Sequence, residues 1–477
     1  MSSRAPATAP DVDVAGLSAD SQARPRLVAG LARTVLDVFY RQVQVVDRER
    51  VPESQGIVYV GNHVSSLLDS ALLLAYMPRA PRFLAKSTLW QMPVLRPFLR
   101  LAAAIPVYRR QDPGVDPAKN AETFARCHEV LAAGGAIALF PEGISHNEPG
   151  LVPLKTGVSR IVLQTLHRFP EATVRVVPVG LTFDDKTRFR SRVLIRVGEA
   201  LDANEQGRRF AADPEAEEAR EAVSDLTERI RQGLEEVTLN YPSWEEAALI
   251  ERAASLYARP SLPTPAEEPL AEAFPYRHLF IDGYATLLEA APEATHRVAE
   301  AVREYDARLE LYGLTDAQLA SDYPSTKVIA FTARSLLALL VRLPLGALGT
   351  VLNWIPYRLT GVAARRMAEG PDTVSTYKVF PALFLFPLFW GLLALVCGLS
   401  QGWEWGLVAL FSAPISGLFA IRFHQRLDHF LAQARAFLLL RSGRRGIADL
   451  RRRRRRVLDA VAGLVATYRK GRPEPMA

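Results

Sequence analysis

The sequence predicts an α/β domain with a mostly parallel sheet, followed by a helical region and a C-terminal two-helix transmembrane hairpin. Three observations carry this expectation. Between residue 56 and about 200, short β-rich apolar runs alternate with helical stretches, the pattern of strand–helix–strand units. Residues 203–325 lose that alternation and become rich in Glu and Arg. Val379–Trp403 then carries no charged residue over 25 positions, and roughly 20 apolar residues are enough to cross a bilayer.

Composition narrows the classes. The chain has 477 residues, 49% hydrophobic and 23% charged, too apolar for a disordered protein and too charged for a many-span transporter. Two cysteines, Cys127 and Cys397, without a CxxC neighbour, give neither a disulfide framework nor a structural zinc site. The formal net charge is +7. It is unevenly spread: from Arg422 onward there are 15 Arg/Lys against 4 Asp/Glu, so the basicity belongs to the tail.

In chain order, residues 1–25 are rich in Ser, Ala, Pro and Asp without an apolar core; they read as a disordered leader, not a signal peptide. Residues 26–41 have helical periodicity, with Leu27, Leu31, Val35 and Val38 on one stripe. Two readings fit that stripe, a helix in a membrane interface and a helix packed on the domain. Residues 26–202 then form the α/β domain. Its strands are expected at Ile57–Val60, Arg82–Ala85, Ala104–Tyr108, Ala136–Phe140, Val174–Val179 and Arg192–Val197, with helices at Ala118–Ala133 and Gly157–His167.

Residues 203–325 form a helical region. Asp213-Pro214-Glu215 is a helix start, a capping residue followed by proline in the first turn. Further helices follow at Trp244–Ala258 and Pro292–Tyr312, and the Pro-rich Arg259–Pro269 reads as a linker. Residues 326–376 hold the uncharged Leu343–Tyr357, only 15 residues long with two prolines, expected to be interfacial or re-entrant. The hairpin occupies 377–423. Its turn, Gln401-Gly402-Trp403-Glu404-Trp405, lacks Lys and Arg, while Lys378, Arg422 and Arg426 flank the outer ends. The positive-inside rule places those ends in the cytosol; a soluble buried hairpin is the alternative. The tail, 424–477, contains six consecutive arginines, Arg451–Arg456. Attraction to anionic headgroups fits a basic helix beside a membrane span. Nucleic acid ranks below it, because neither interleaved aromatics nor a recognition module is present.

The chemistry concentrates at strand ends. Gly61-Asn62-His63-Val64-Ser65-Ser66-Leu67-Leu68-Asp69 ends an apolar run in a histidine and an aspartate. A neutral imidazole takes a proton from an alcohol, and a carboxylate fixes its tautomer and stabilises the imidazolium. Six residues on an ideal helix turn through about 600°, leaving side chains about 120° apart. The two meet only if His63 lies on the turn before the helix and Asp69 inside it. A second strand ends in Ile105-Pro106-Val107-Tyr108-Arg109-Arg110, a third in Phe140-Pro141-Glu142-Gly143-Ile144-Ser145-His146. Leu154-Lys155-Thr156-Gly157 brings an amine to a helix start, and Val177-Pro178-Val179-Gly180 ends another strand. In an open α/β sheet these ends share one rim, where Arg109 and Lys155 suit a phosphate.

Four such blocks in this order resemble the glycerol-3-phosphate and 1-acylglycerol-3-phosphate acyltransferase superfamily, over roughly residues 27–200. The departure is the spacer. Five residues, Val64 to Leu68, separate His63 from Asp69, where most members have four. This resembles the branch with yeast-type glycerol-3-phosphate/dihydroxyacetone-phosphate acyltransferases. The resemblance implies a membrane-bound phospholipid-synthesis enzyme that moves a fatty acyl group from acyl-CoA or acyl carrier protein to glycerol-3-phosphate or 1-acylglycerol-3-phosphate. It implies His63 as general base oriented by Asp69, and Asn62, Arg109, Glu142, Gly143, Ser145 and Lys155 around the acceptor. Ser145 either contacts the acceptor or caps a turn; Pro178 shapes the acyl pocket or the sheet end; His146 is structural. Direct transfer needs no nucleophilic serine, in keeping with the lack of a GxSxG elbow, and implies no metal and no bound cofactor. The expected partners are membrane lipids, not nucleic acid. The expected location is the cell membrane, multi-pass, with the catalytic domain and tail cytoplasmic. The alternatives are transfer to another lysolipid and a catalytically inactive lipid-binding scaffold.

Overall fold

A computed structural model describes residues 23–92, 96–108, 120–258, 269–320, 325–442 and 444–470. Most of the leader and of the linker Arg259–Pro269, and the site residue Arg109, lie outside the described residues. The chain forms two compact units: residues 1–240 with 369–376, and residues 241–368 with 377–477.

The first unit is built on strands β1 (Gln42–Val46), β2 (Gly56–Gly61), β3 (Arg82–Lys86), β4 (Ile105–Val107), β5 (Ala136–Leu139), β6 (Val174–Phe183), β7 (Arg192–Val197) and β8 (Leu201–Asp202). They form one sheet in the order β1-β7-β6-β2-β5-β3-β4, with β8 also on β6. The pairs β1–β7, β2–β5, β2–β6, β3–β4 and β3–β5 are parallel. Only β6–β7 and β6–β8 are antiparallel, so the sheet is mixed and mostly parallel. Every residue of β2 is buried, as a strand covered on both faces requires.

The helices of this unit are α1 (Ala23–Phe39), α2 (Leu67–Tyr76), α3 (Arg96–Leu101), α4 (Asn120–Ala132), α5 (Gly157–Arg168), α6 (Asn204–Ala212) and α7 (Glu217–Val237). Val58, Val60 and Ile137 of the sheet share a core with Cys127, Ile161, Val162, Leu226 and Leu234 from α4, α5 and α7. Helix α1 packs against α2 and buries Val28, Leu36 and Phe39, while Leu27 (70% exposed) and Leu31 (53%) face outward. The expected stripe is thus largely open, Val38 included, and a different face of the helix, through Val28, Leu36 and Phe39, covers the domain.

The expected strands all form, with ends moved by a residue or a few. β1 is an addition. Its Gln-Val-Gln-Val-Val run is short, and its residues are exposed or half-buried. The helix expected from Asp213 begins instead at Glu217, after a turn in which the Asp213 carboxylate accepts the Glu215 N–H.

The second unit is helical among the described residues: α8 (Trp244–Ala258), α9 (Leu270–Ala290), α10 (Pro292–Tyr312), α11 (Asp316–Ala320), α12 (Ser325–Met367), α13 (Pro371–Gln401), α14 (Trp403–Ser442) and α15 (Arg444–Lys470). Leu256, Val302, Tyr305, Leu309, Leu450, Val457 and Val461 make a core in which α15 packs on α8 and α10. Arg454 Nε donates to Asp316 Oδ1 at 2.8 Å, and Arg453 Nη1 to Glu304 Oε1 at 2.7 Å. Two of the six consecutive arginines therefore hold the unit together, while Arg451, Arg452, Arg455 and Arg456 remain exposed.

Among the described residues, three helices are long and apolar enough to cross a membrane: Thr332–Met367, Pro371–Gln401 and Trp403–Leu440. Leu343–Tyr357, expected to be interfacial or re-entrant, falls within the first of them. That segment runs inside one continuous helix, α12, through Pro344 and Pro356. A proline removes one helix N–H, which a membrane-type helix packed on neighbours tolerates. α12 lies close against α14. A Cβ on Gly349 would come within 1.9 Å of the Ser416 carbonyl oxygen, so only glycine permits this approach. Asn353 donates to the Ala413 carbonyl at 3.2 Å and accepts from Trp390 Nε1 at 2.9 Å, joining α12, α13 and α14 through one buried amide.

Candidate active site

Strands β2, β5 and β6 are adjacent and parallel, so the loops at their carboxyl ends meet on one rim, the usual ligand-binding edge of such a sheet. The β2 loop carries His63, the β5 loop carries Glu142 to His146, and the loop after β6 carries Lys186.

His63 is held through its backbone. Its N–H donates to Glu142 Oε2 at 2.9 Å, and its carbonyl accepts the His146 N–H at 3.1 Å. The ring stacks on Phe140, centroids 4.1 Å apart and planes 7° off parallel. His63 Nδ1 lies 3.0 Å from Asp69 Oδ2. The helix-wheel obstacle disappears because α2 starts only at Leu67, with His63 on the preceding turn and Asp69 in the first helical turn. The same Oδ2 accepts the Ser65 N–H at 2.7 Å. An ionised carboxylate only accepts, so Nδ1 is the donor in this pair, and in the neutral form of the ring the lone pair falls on Nε2. The His63 side chain stays 20% exposed, while that of Asp69 is fully buried. Burial holds the Asp69 carboxyl above the usual carboxylate range, opposed by His63, the Ser65 amide and Lys186. Tyr40, 1% exposed, lies behind this pair, and its phenol is raised by burial and then by the Asp69 charge.

The β5 loop supplies the brace. Glu142 is 2% exposed, and its Oε2 also accepts from His146 Nε2 at 2.8 Å. Gly143 adopts φ +75°, and a Cβ there would meet Lys155 Nζ at 2.5 Å. The Lys155 ammonium therefore lies over this turn, and the Lys155 backbone N–H donates to the Pro141 carbonyl at 2.8 Å. Ser145 Oγ accepts the Ser66 N–H at 3.1 Å, where Ser66 takes φ 51° at the entrance to α2. Asn62 is used on both sides of its amide: Nδ2 donates to the Leu181 carbonyl at 3.0 Å, and Oδ1 accepts the Leu181 N–H at 2.8 Å. Pro178 lies in β6 opposite Val60, under Gly233 of α7.

His63, Asp69, Asn62, Glu142, Gly143, Ser145 and Lys155 thus gather on one rim. Two participants escaped sequence reasoning. Lys186 is half-buried, its Nζ 3.5 Å from the His146 carbonyl oxygen. Burial lowers its ammonium, against the opposing pull of Asp69 and Asp372. Its carbonyl accepts the Ser375 hydroxyl, from the 369–376 segment that belongs to this unit. The signal was available: a cation just past the carboxyl end of a strand. His146 is the other, since its link to Glu142 depends on loop shape that spacing does not encode.

Chemically, the rim presents an imidazole with a buried carboxylate at its Nδ1 and an ammonium beside the neighbouring turn. That set removes a proton from a hydroxyl and stabilises the resulting imidazolium.

A family model described as Acyltransferase matches residues 42–182. Glycerol-3-phosphate O-acyltransferase 2 of Saccharomyces cerevisiae is 29% identical over 290 residues, covering 57% of this chain and 37% of that protein. A chloroplastic 1-acyl-sn-glycerol-3-phosphate acyltransferase of Arabidopsis thaliana is 28% identical over 144 residues, 30% of this chain and 36% of that protein. The chain thus spans well under half the length of these curated relatives. Among solved structures, the 1-acyl-sn-glycerophosphate acyltransferase PlsC of Thermotoga maritima matches 46% of this chain and 85% of its own, with 21% identity and a TM-score of 0.32.

Proposed function

We propose that this chain, whose residues 42–182 form an acyltransferase-family domain, moves a fatty acyl group from acyl-CoA or acyl carrier protein to the hydroxyl of glycerol-3-phosphate or 1-acylglycerol-3-phosphate in phospholipid synthesis. The observation that carries the reading is the His63 Nδ1–Asp69 Oδ2 contact at 3.0 Å, which leaves Nε2 as the nitrogen that accepts a proton when the ring is neutral. Nε2 takes the acceptor's hydroxyl proton as the oxygen attacks the thioester carbonyl. Asp69 steadies the imidazolium while the tetrahedral intermediate forms. The C–S bond then breaks, and the proton passes from Nε2 to the departing thiolate, giving an ester and a free thiol. Lys155, over the Gly143 turn, is assigned to the acceptor phosphate by its charge, and Arg109 is assigned to the same group from its motif alone. Asn62 and Glu142 act as braces, since each is committed to backbone or to His146. Ser145 likewise serves as a turn clamp on Ser66.

Membrane attachment follows from parity. α15 packs on α8 and α10, so residues 241–320 and 444–470 lie on the same side of any bilayer. Between them the chain crosses an even number of times, which favours two of the three apolar helices. Val379–Ile421 has one charged residue, Glu404 at the turn, whereas Thr332–Met367 contains Arg334, Arg342, Arg358, Arg365 and Arg366. Crossing is therefore assigned to α13 and the first half of α14, with α12 bound alongside through Asn353. The Lys/Arg distribution puts the catalytic domain and tail in the cytoplasm. The exposed tail arginines add roughly 1 kcal/mol each of attraction to anionic headgroups near the surface.

The test is ester formation by the purified full chain with acyl-CoA and, in turn, glycerol-3-phosphate, dihydroxyacetone phosphate, 1-acylglycerol-3-phosphate and other lysolipids, wild type beside His63→Ala. General-base loss lowers turnover by roughly 10²–10⁴-fold. Equal turnover by the two proteins removes His63 from the mechanism, and transfer to a different lysolipid alone redirects the substrate.

A further inference from the structure

We propose that His146 is a positioning residue for the base: through Glu142 it fixes the backbone of His63, and with it the direction of the ring. The proposal rests on the acyl-transfer reading of this site. The Glu148 N–H donates to His146 Nδ1 at 3.1 Å. That nitrogen is therefore the acceptor, and the ring proton sits on Nε2, which donates to Glu142 Oε2 at 2.8 Å. The same oxygen receives the His63 N–H at 2.9 Å, while the His146 N–H donates to the His63 carbonyl at 3.1 Å. Both backbone groups of His63 are thus bonded to the 142–146 turn, one of them through a carboxylate that the His146 ring orients. His146 is 8% exposed and Glu142 2%, so water does not replace these bonds readily. Glu142 Oε1 is buried without a partner among the described residues. The carboxylate is therefore free to swing if His146 releases Oε2, and His63 N–H would lose its acceptor with it.

A rotation of the His63 backbone moves Nδ1 away from Asp69, because Asp69 is fixed separately by Ser65. The histidine then loses the single tautomer on which proton abstraction depends. His146 does this without touching substrate.

Two variants separate the ring's links. His146→Asn keeps a side-chain acceptor near Nδ1 for the Glu148 amide and falls short of Glu142. His146→Gln carries an N–H as far as Glu142. Misplacement on the ångström scale costs up to about 10²-fold, so Asn lowers kcat by roughly tenfold to hundredfold with little change in KM, and Gln restores most of it. The second readout is the ¹⁵N spectrum of histidine-labelled full chain, with His63 assigned by its loss in His63→Ala. Wild type shows His63 as one Nδ1–H tautomer, Asn a mixture, and Gln the wild-type pattern. With an active wild type, an unmoved kcat or an unmoved His63 tautomer in the Asn variant overturns the proposal, as does equal loss in Asn and Gln. If wild type makes no ester with any acceptor, the acyl-transfer reading fails by itself. The tautomer still decides the brace: unchanged in Asn it is refuted, mixed in Asn and single in Gln it stands.

Discussion

Replacing Asp69 by Asn isolates the charge behind the base. Asp69 Oδ2 receives two donors, His63 Nδ1–H at 3.0 Å and Ser65 N–H at 2.7 Å. A backbone N–H demands an acceptor, so in the variant the amide oxygen stays at the Oδ2 position and the NH2 takes the place of Oδ1. The imidazole keeps its tautomer and loses only the anion that steadies it when protonated. Two unit charges about 4 Å apart at an effective dielectric of 20 attract by ~4 kcal/mol. At about 1.36 kcal/mol per decade of rate, kcat/KM for ester formation falls roughly a thousandfold, with the change in kcat. Steady-state release of free thiol from acyl-CoA measures it. A variant within about threefold of wild type, or a loss confined to KM, refutes the reasoning.

The same substitution has a stability signature of opposite sign. Burial raises the Asp69 carboxyl above its unfolded value. Such a group stabilises the fold below its unfolded pKa and loses that contribution as pH rises through the folded one. Wild type therefore weakens relative to Asp69→Asn as pH climbs out of the acid range, and the melting-temperature gap widens in favour of the variant. A gap independent of pH, or one favouring wild type, contradicts the assignment of a buried, desolvated anion.

Arg454→Met removes the guanidinium facing the fully buried Asp316 and lowers the stability of the helical unit by about 3–5 kcal/mol; the double variant with Asp316→Asn recovers part of it in thermal unfolding. Gly349→Val forces α12 from Ser416, whose oxygen lies 1.9 Å from the new Cβ position. It destabilises by about 1–3 kcal/mol in detergent, whereas Gly391→Val, with nothing within 4 Å of its Cβ, does not. Single cysteines at Gly402 and at Arg469, in a background lacking Cys127 and Cys397, label from opposite sides of sealed vesicles; labelling from the same side ends the hairpin assignment.

Sequence patterns reached the parallel strands because a strand buried on both faces must be apolar throughout, as Ile57–Val60 and Ala136–Leu139 are. They missed β1, where Gln42 and Gln44 interrupt the run at the sheet edge, and α9, where Pro275 lies in the first turns of a helix that follows a proline-rich stretch. In α12, Pro344 and Pro356 read as breaks, but close packing on α14 outweighs two absent N–H groups. At the site, residue type and strand-end position brought seven of the eight expected residues to one rim. What spacing withheld was the direction of each polar atom. Glu142 and Asn62 look like ligand-holding groups in a motif; in three dimensions Glu142 Oε2 is committed to His63 and His146, and both ends of the Asn62 amide to Leu181.

The five-residue spacer explains why that commitment matters. Across the five residues between His63 and Asp69 the chain makes a tight turn before α2 begins. Ser66 does so at φ 51°, a conformation that costs a non-glycine residue of order 1–3 kcal/mol. Such a turn persists only where its surroundings determine it. Here Ser145 Oγ takes the Ser66 N–H, Asp69 takes the Ser65 N–H, and Glu142 takes the His63 N–H. Two of these three acceptors come from the β5 loop, about 80 residues downstream. The Pro-Glu-Gly-x-Ser-His block is thus the template on which the base loop is folded. The reach of His63 for Asp69 is a property of both loops together, not of the spacer alone.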